Sequence, residues 1–362
     1  MDFSQTDEQK DIQTLANQIL TDQVTVEALH RFDNRDTLRY DGKLWAHLAD
    51  SGLLGITVPA DKGGMGFGFN ELALFIEECG RVLAPVPVIP TLISAMVLQK
   101  CNEQELLGGV ASGEVVLTAA INEVTHEDMF APKTTFTAGK LNGVKQCVPY
   151  VDIATRLLVI AADAGKPALF LVDPKDSSIQ KTALWSTTYE PQHALTFKNT
   201  PAKKIGGENE VKYFVDHYTM ALCAYQVGAT EKMVSITAKY TSEREQFGVK
   251  IASFQAVGHR TANCYIDAKC LKLVTQQAVS ILAEGKDAST AINVAKAWCG
   301  DAGHRISYAT QHLHGGTGVD RDYPLWRYCL WAKQNELMLG HTTYHLEKLG
   351  DAIAAGSYDI DP

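Results

Sequence analysis

Apolar positions recur at helical spacing along the N-terminal part of the chain and again from about Val211 to the end, with a short-period pattern between them. Thr6-x-x-Gln9 reads as a capping box, and Ile12, Leu15, Ala16 and Ile19 follow on one face of a predicted first helix. A second helical run from Leu44-Trp45 to Leu48 stops at Gly52, and Leu53 to Pro59 leads into Lys62-Gly63-Gly64-Met65-Gly66. No strand precedes those glycines, as a dinucleotide fingerprint would require, so they read as a connector. Asn70 is placed to cap a helix over Glu71 to Arg81, with Leu72, Phe75, Ile76 and Cys79 on one face, before Pro85, Pro87 and Pro90 break the pattern. These elements predict an α-helical domain over residues 1–114.

The character changes at Gly113. Val115 to Thr118, Leu157 to Ile160, Ala168 to Val172 and Ala194 to Phe197 are short, rich in β-branched or large apolar residues, and separated by turn signals such as Asn142-Gly143 and Pro174-Lys175-Asp176. A small, barrel-like β-domain is expected over residues 115–203. Beyond it, Val257, Thr261, Cys264, Ala268, Leu271, Thr275, Ala278 and Leu282 step by four and three, a seam for long antiparallel helices. Gly285 ends that helix, and Ser289 or Thr290 starts the next. The expected fold is mainly α with a central β-domain, closed by a C-terminal four-helix bundle over residues 204–362 that buries its seam on itself and on a second subunit.

A length of 362 residues suits two or three compact units. The net charge of -9, with no local block of Lys and Arg, gives nucleic acid no electrostatic footprint. The polar, acidic N-terminus and the lack of any apolar stretch of about 18 residues predict a cytoplasmic chain without a membrane span. Eight cysteines without a CxxC pair read as reduced, mostly buried thiols rather than metal ligands, and no metal site is expected.

Chemistry concentrates between His304 and Thr343, where Gly315-Gly316-x-Gly318 separates two helical patterns and Asp320-Arg321-Asp322-Tyr323-Pro324 marks the restart. Such glycines supply either φ > 0 at a helix end or close approach to a ligand. Upstream stands Arg244-Glu245-Gln246-Phe247-Gly248. Read by itself, Arg244 is a solvated charge between Glu243 and Glu245.

Together with Leu44 to Gly55 and Pro59 to Gly64, these segments resemble the acyl-CoA dehydrogenases over nearly the whole chain. These flavoproteins oxidise the Cα–Cβ bond of an acyl-CoA. The resemblance implies FAD lying across a subunit interface, with its isoalloxazine against one subunit's β-domain and its adenine and pyrophosphate reaching the neighbour. Arg244, Gln246, Phe247, Gly315 and Gly316 match the neighbour's contributions, and His312 stands where many members have Gln. An electron-transferring flavoprotein or similar acceptor is implied as well.

The likeness breaks in two places. The family's Thr-Glu-Pro-Gly-Ala-Gly-Ser-Asp beside the flavin becomes Asn122 to Asp128, which keeps an acid and loses every glycine, and its Trp-Ile-Thr becomes Cys147-Val148-Pro149. Abstracting the α-proton needs a carboxylate. The family's two base positions fall on Leu339 and Tyr218, and neither is one. Glu336, Asp216 and His341 are distant substitutes.

The run from His314 to Leu325 looks like that of bacterial steroid-type dehydrogenases built from two unlike subunits. The favoured expectation is therefore a subunit that completes the FAD site of a homologous catalytic partner acting on a bulky, ring-containing acyl-CoA. The alternatives are a self-sufficient homo-oligomer using Glu336, or a structural subunit without flavin.

Overall fold

The computed structural model describes residues 3–124 and 128–357. Six helices come first: α1 (Asp7–Gln23), α2 (Val26–His30), α3 (Gly42–Asp50), α4 (Phe69–Val82), α5 (Val88–Lys100) and α6 (Leu107–Ala111). Eight strands follow: β1 (Leu117–Ala120), β2 (Thr135–Thr137), β3 (Lys140–Pro149), β4 (Arg156–Asp163), β5 (Lys166–Val172), β6 (Ile179–Leu184), β7 (Gln192–Pro201) and β8 (Lys203–Gly206). Then come α7 (Glu208–Glu243), the paired strands β9 (Glu245–Gln246) and β10 (Val249–Lys250), and α8 (Gln255–Ala283), α9 (Ser289–His314), α10 (Leu325–Leu337) and α11 (Thr342–Ala354). Among the described residues no helix is long and apolar enough to cross a membrane.

The capping box forms as expected: the Gln9 N–H donates to the Thr6 hydroxyl, and the Thr6 N–H donates to the Gln9 side chain. Two helix expectations need correction. Asn70 lies inside α4, and Glu71 reaches back to accept the Gly68 N–H at 2.9 Å, so an acceptor within the first turn replaces a preceding cap. Pro90 does not end helical structure; it sits in the first turn of α5, where its missing N–H costs no intrahelical bond. That helix is buried on all sides, so it has no polar face to reveal it as amphipathic.

The chain packs as two compact units. Residues 27–72 and 85–218 form one. Its sheet runs β6-β7-β3-β2-β4-β5-β8, with β1 parallel to β4 off that path. Leu157 to Ala161 of β4 are all buried, so the strand is covered on both faces, which explains its unbroken apolar run. Leu141, Val159, Phe170, Leu195 and Phe197 fill the core beside it. Asn142-Gly143, expected to be a turn, lies inside β3 at a shift in its register with β7. The β2–β3 turn is Ala138-Gly139, with φ of 51° and 80°.

Residues 1–26, 73–84 and 219–362 form the other unit. α4 and α7 approach closely at two glycines: a Cβ on Gly80 would meet the Tyr225 carbonyl oxygen at 2.0 Å, and one on Gly228 the Glu77 carbonyl oxygen at 1.8 Å. Beside this crossing, Arg81 pairs with Glu77, Glu78 and Glu231, while Lys272 bonds Glu77 and Lys269 bonds Glu231. Buried carboxylates are thereby matched with cations. The α8 seam buries Cys264, Ala268, Leu271, Thr275 and Ala278, five of the eight seam residues above. Gly285, at φ 72°, follows the helix end.

Candidate functional site

α7 ends at Glu243 and the chain turns back on itself. Lys250 pairs with Glu245 and Val249 with Gln246, leaving Phe247 and Gly248 as a two-residue turn with φ of 56° and 80°. Both angles are those of the primed hairpin turns, which take Asn or Gly readily and cost a bulky residue roughly 1 kcal/mol or more. Phe247 is nevertheless 93% exposed, meeting Phe254 edge-on with ring centroids 6.2 Å apart. The hairpin also resolves the surroundings of Arg244. Lys250 pairs with Glu245 at 2.7 Å and donates to the Glu243 carbonyl at 3.0 Å, so Glu245 is engaged across the hairpin. Gln246 turns its amide onto the Glu245 carbonyl. An apolar groove of about 380 Å³ opens between α7 and α8, lined by Ala238, Thr241, Val257, Thr261 and Tyr265 among others.

The Gly315-Gly316 turn belongs to the same unit as the hairpin. α9 ends where the Gly315 N–H donates to the His312 carbonyl, and a short 3₁₀ turn over Gly315–Val319 follows. The three glycines differ. Gly315 has φ 59°. Gly318 is packed from within, since a Cβ there would meet the Gln311 carbonyl oxygen at 2.9 Å. Gly316 lies outside the left-handed region, and its Cβ would meet nothing within 4 Å. Among the described residues, no contact within 4 Å requires a glycine at 316. His312 is exposed, its ring parallel to that of Tyr308 at 6.5 Å.

Three residues that sequence reasoning did not single out as functional bring these segments together. His314 is buried immediately before the glycine pair, Tyr240 stacks on it at 4.2 Å, and the Tyr323 hydroxyl lies 3.1 Å from its Nε2. Tyr240 stands one turn before Arg244, whose N–H donates to the Tyr240 carbonyl at 2.9 Å. The signal available was spacing alone: Tyr240 four residues before the arginine, and Tyr323 within the Asp320 to Pro324 restart.

The turn carrying Leu339 is equally well built. Buried Lys296 donates to the carbonyls of Asn335, Glu336 and Gly340 at 2.9, 3.1 and 2.8 Å, closing the end of α10 with an ammonium. His345 Nε2 donates to the Leu339 carbonyl at 3.0 Å, and Leu339 and Gly340 take φ of 54° and 94°. Leu339 itself is 2% exposed. Glu336 is held by Lys333 at 2.5 Å, and Asp216 by Lys212 at 2.6 Å. His341 stands at the N-cap position of α11 without a side-chain capping bond. The Tyr218 hydroxyl is pushed far above the usual phenol range by burial and then by Glu190, which removes it as a base at neutral pH.

In the β-sheet unit, the acid kept from the flavin-side motif serves the fold. Glu123 accepts the N–H groups of Lys133 and Thr134 and pairs with buried Lys145 at 2.8 Å. Burial would raise its carboxyl, but Lys145 and Thr134 outweigh that and hold it at about 2. Thr125 to Glu127 lie outside the described residues. Pro149 is buried and has no N–H to offer a ligand, and Cys147, at φ 52°, sits at an irregular step of β3. Cys147 to Pro149 do not reproduce the Trp-Ile-Thr of the family pattern, whereas Arg244 offers an exposed guanidinium and Gly315-Gly316 an exposed backbone.

A long-helix bundle, a central sheet and this paired arginine hairpin and glycine turn define a flavin-dependent acyl-CoA dehydrogenase architecture. Sequence models of the acyl-CoA dehydrogenase N-terminal and C-terminal domains match residues 6–114 and 206–354, and the chain belongs to that family of FAD flavoproteins. The acyl-CoA dehydrogenase FadE27 of Mycobacterium tuberculosis is 35% identical, covering 98% of this chain and 99% of its own. Among solved structures, a variant of the Tcur3481-Tcur3483 steroid ACAD is 38% identical with a TM-score of 0.92, covering 97% of this chain and 98% of its own. The ChsE4-ChsE5 complex of Mycobacterium tuberculosis is 33% identical with a TM-score of 0.92, covering 98% and 99%.

Proposed function

We propose that the chain is the subunit of a two-component acyl-CoA dehydrogenase that completes its partner's FAD site and carries no base of its own. One contrast within a single unit supports this reading. Arg244, Phe247 and Gly316 are exposed, and a Cβ at Gly316 would meet nothing within 4 Å among the described residues, while a buried leucine fills the base position in a turn braced by Lys296 and His345. Arg244 and the backbone N–H groups near Gly316 would hold FAD phosphates. FAD supplies hydride acceptance from the acyl-CoA, and the carboxylate base comes from the partner.

The similarity to a steroid ACAD and to a complex of two differently named chains supports a homologous partner and a bulky, ring-containing acyl-CoA. An electron-transferring flavoprotein or similar acceptor completes the reaction. A self-sufficient enzyme using Glu336 is disfavoured, because that carboxylate is paired with Lys333.

The test is colour and turnover. The chain purified alone should hold little FAD and give negligible turnover of a ring-containing acyl-CoA with an artificial acceptor. Co-expression with a homologous subunit that has Glu before Gly-Thr should yield a yellow, active complex. Turnover of about 1 per second or more by the chain alone would sink the proposal. A complex whose activity and flavin content did not depend on this chain would favour a purely structural subunit.

A further inference from the structure

We infer that His314 is a positioning residue that ties the Arg244 hairpin to the Gly315-Gly316 turn, so that both segments hold one fixed arrangement. That the arrangement serves FAD rests on the reading above; the tie itself rests on geometry. Both ring nitrogens are committed. A carbonyl can only accept, so Nδ1–H donates to the Thr310 carbonyl at 2.8 Å, which leaves Nε2 as the acceptor for the Tyr323 hydroxyl at 3.1 Å. The face of the imidazole is covered by Tyr240 at 4.2 Å and 26°, and the Tyr240 hydroxyl donates to the His314 carbonyl at 3.4 Å. Tyr323 also reaches Tyr240, with ring centroids 6.2 Å apart.

The path from the glycine pair to the arginine is therefore one stacked contact and one helical turn. A buried histidine bonded only to the preceding turn of its own helix would be an ordinary core residue. His314 instead receives a bond from the segment after the glycine turn and a stack from the helix that launches the hairpin. Leucine would fill much of the space and fix neither. Burial pushes the imidazole pKa down, with the Thr310 carbonyl opposing, and so favours the neutral ring that can accept from Tyr323. The polar groups facing it are Thr310 from α9, Tyr240 from α7 and Tyr323, whose own hydroxyl also feels Glu243.

The experiment combines hydrogen exchange on the full chain with FAD titration of its complex with the catalytic subunit. His314→Phe keeps an aromatic ring and removes both bonds, Tyr323→Phe removes one hydroxyl, and His314→Gln can restore a donor and an acceptor. The expected result for His314→Phe is faster exchange at Arg244 to Lys250 and at Gly315 to Asp320 together. FAD should bind roughly tenfold more weakly, the scale of about one net hydrogen bond. Tyr323→Phe should show the same pattern more weakly and serves if His314→Phe misfolds, while His314→Gln should recover part of the loss.

Faster exchange confined to the glycine turn in both Phe variants, with the hairpin unchanged, would overturn the inference. Arg244→Ala separates the two readings. If it costs affinity while neither Phe variant changes affinity or hairpin exchange, the inference fails alone. If Arg244→Ala leaves FAD affinity unchanged, the FAD reading fails, and a joint change in exchange still upholds the tie.

Discussion

Replacing Gly315, Gly316 and Gly318 one at a time by alanine separates three reasons for having a glycine. At Gly318 the new methyl would sit 2.9 Å from the Gln311 carbonyl oxygen and 3.1 Å from the His314 Cβ, so the chain itself must shift, costing about 1–3 kcal/mol of its own stability. At Gly315 the space is open but φ 59° with ψ -138° is a conformation that only glycine adopts readily, and alanine should cost about 1–3 kcal/mol through backbone strain. At Gly316 neither penalty applies, and the free chain should change by less than about 0.5 kcal/mol. If a ligand phosphate approaches that backbone in the assembled enzyme, the same methyl displaces it. The loss should then be about 1–3 kcal/mol, or roughly five- to 150-fold in FAD affinity. Thermal melting of the free chain and FAD titration of the complex by fluorescence quenching read the two quantities separately. A Gly316→Ala complex that binds FAD as tightly as the parent would refute the argument that the glycine answers to an external group.

Leu339→Glu should not restore turnover, because it supplies a base without the flavin-ring donors missing around Cys147 to Pro149, and it places a carboxylate at a site 2% exposed, lowering stability by roughly 1–3 kcal/mol; activity in this single variant would show the flavin pocket to be intact. Acid should destabilise the fold in two stages. His217 and His345 are pushed down by burial to about 4, and His314 is also lowered, so the folded chain binds fewer protons than the unfolded one below the ordinary 6.5. Stability therefore falls as pH drops from about 6.5 to 4, by at most on the order of 3 kcal/mol for each of the two strongly shifted rings. The Glu123 contribution, complete above the ordinary 4.5, is lost only as pH falls toward about 2; a melting temperature constant between pH 7 and 4.5 would contradict the histidine part. Gly228→Ala should be the most damaging glycine change, since its Cβ would sit 1.8 Å from the Glu77 carbonyl oxygen, and at least about 3 kcal/mol should be lost in denaturant titrations.

Sequence alone determined what local chemistry controls. Period and capping placed α1, α3, α8 and α9, and continuous apolar runs marked β4 and β5. It mistook Asn142-Gly143 for a turn and Pro90 for a stop, because a register shift and a buried first turn depend on neighbours far along the chain. Only the tertiary structure decided why each glycine is there and which residues hold the site. Gly228 answers to Glu77 on another helix, whereas at Gly316 a Cβ would meet nothing within 4 Å among the described residues, a difference of contact that no local pattern encodes. The same holds for Tyr240, His314 and Tyr323, and for Lys296 beneath Leu339. Their roles arise from stacking and hydrogen bonds between distant segments, and those distances exist only once the helices have packed.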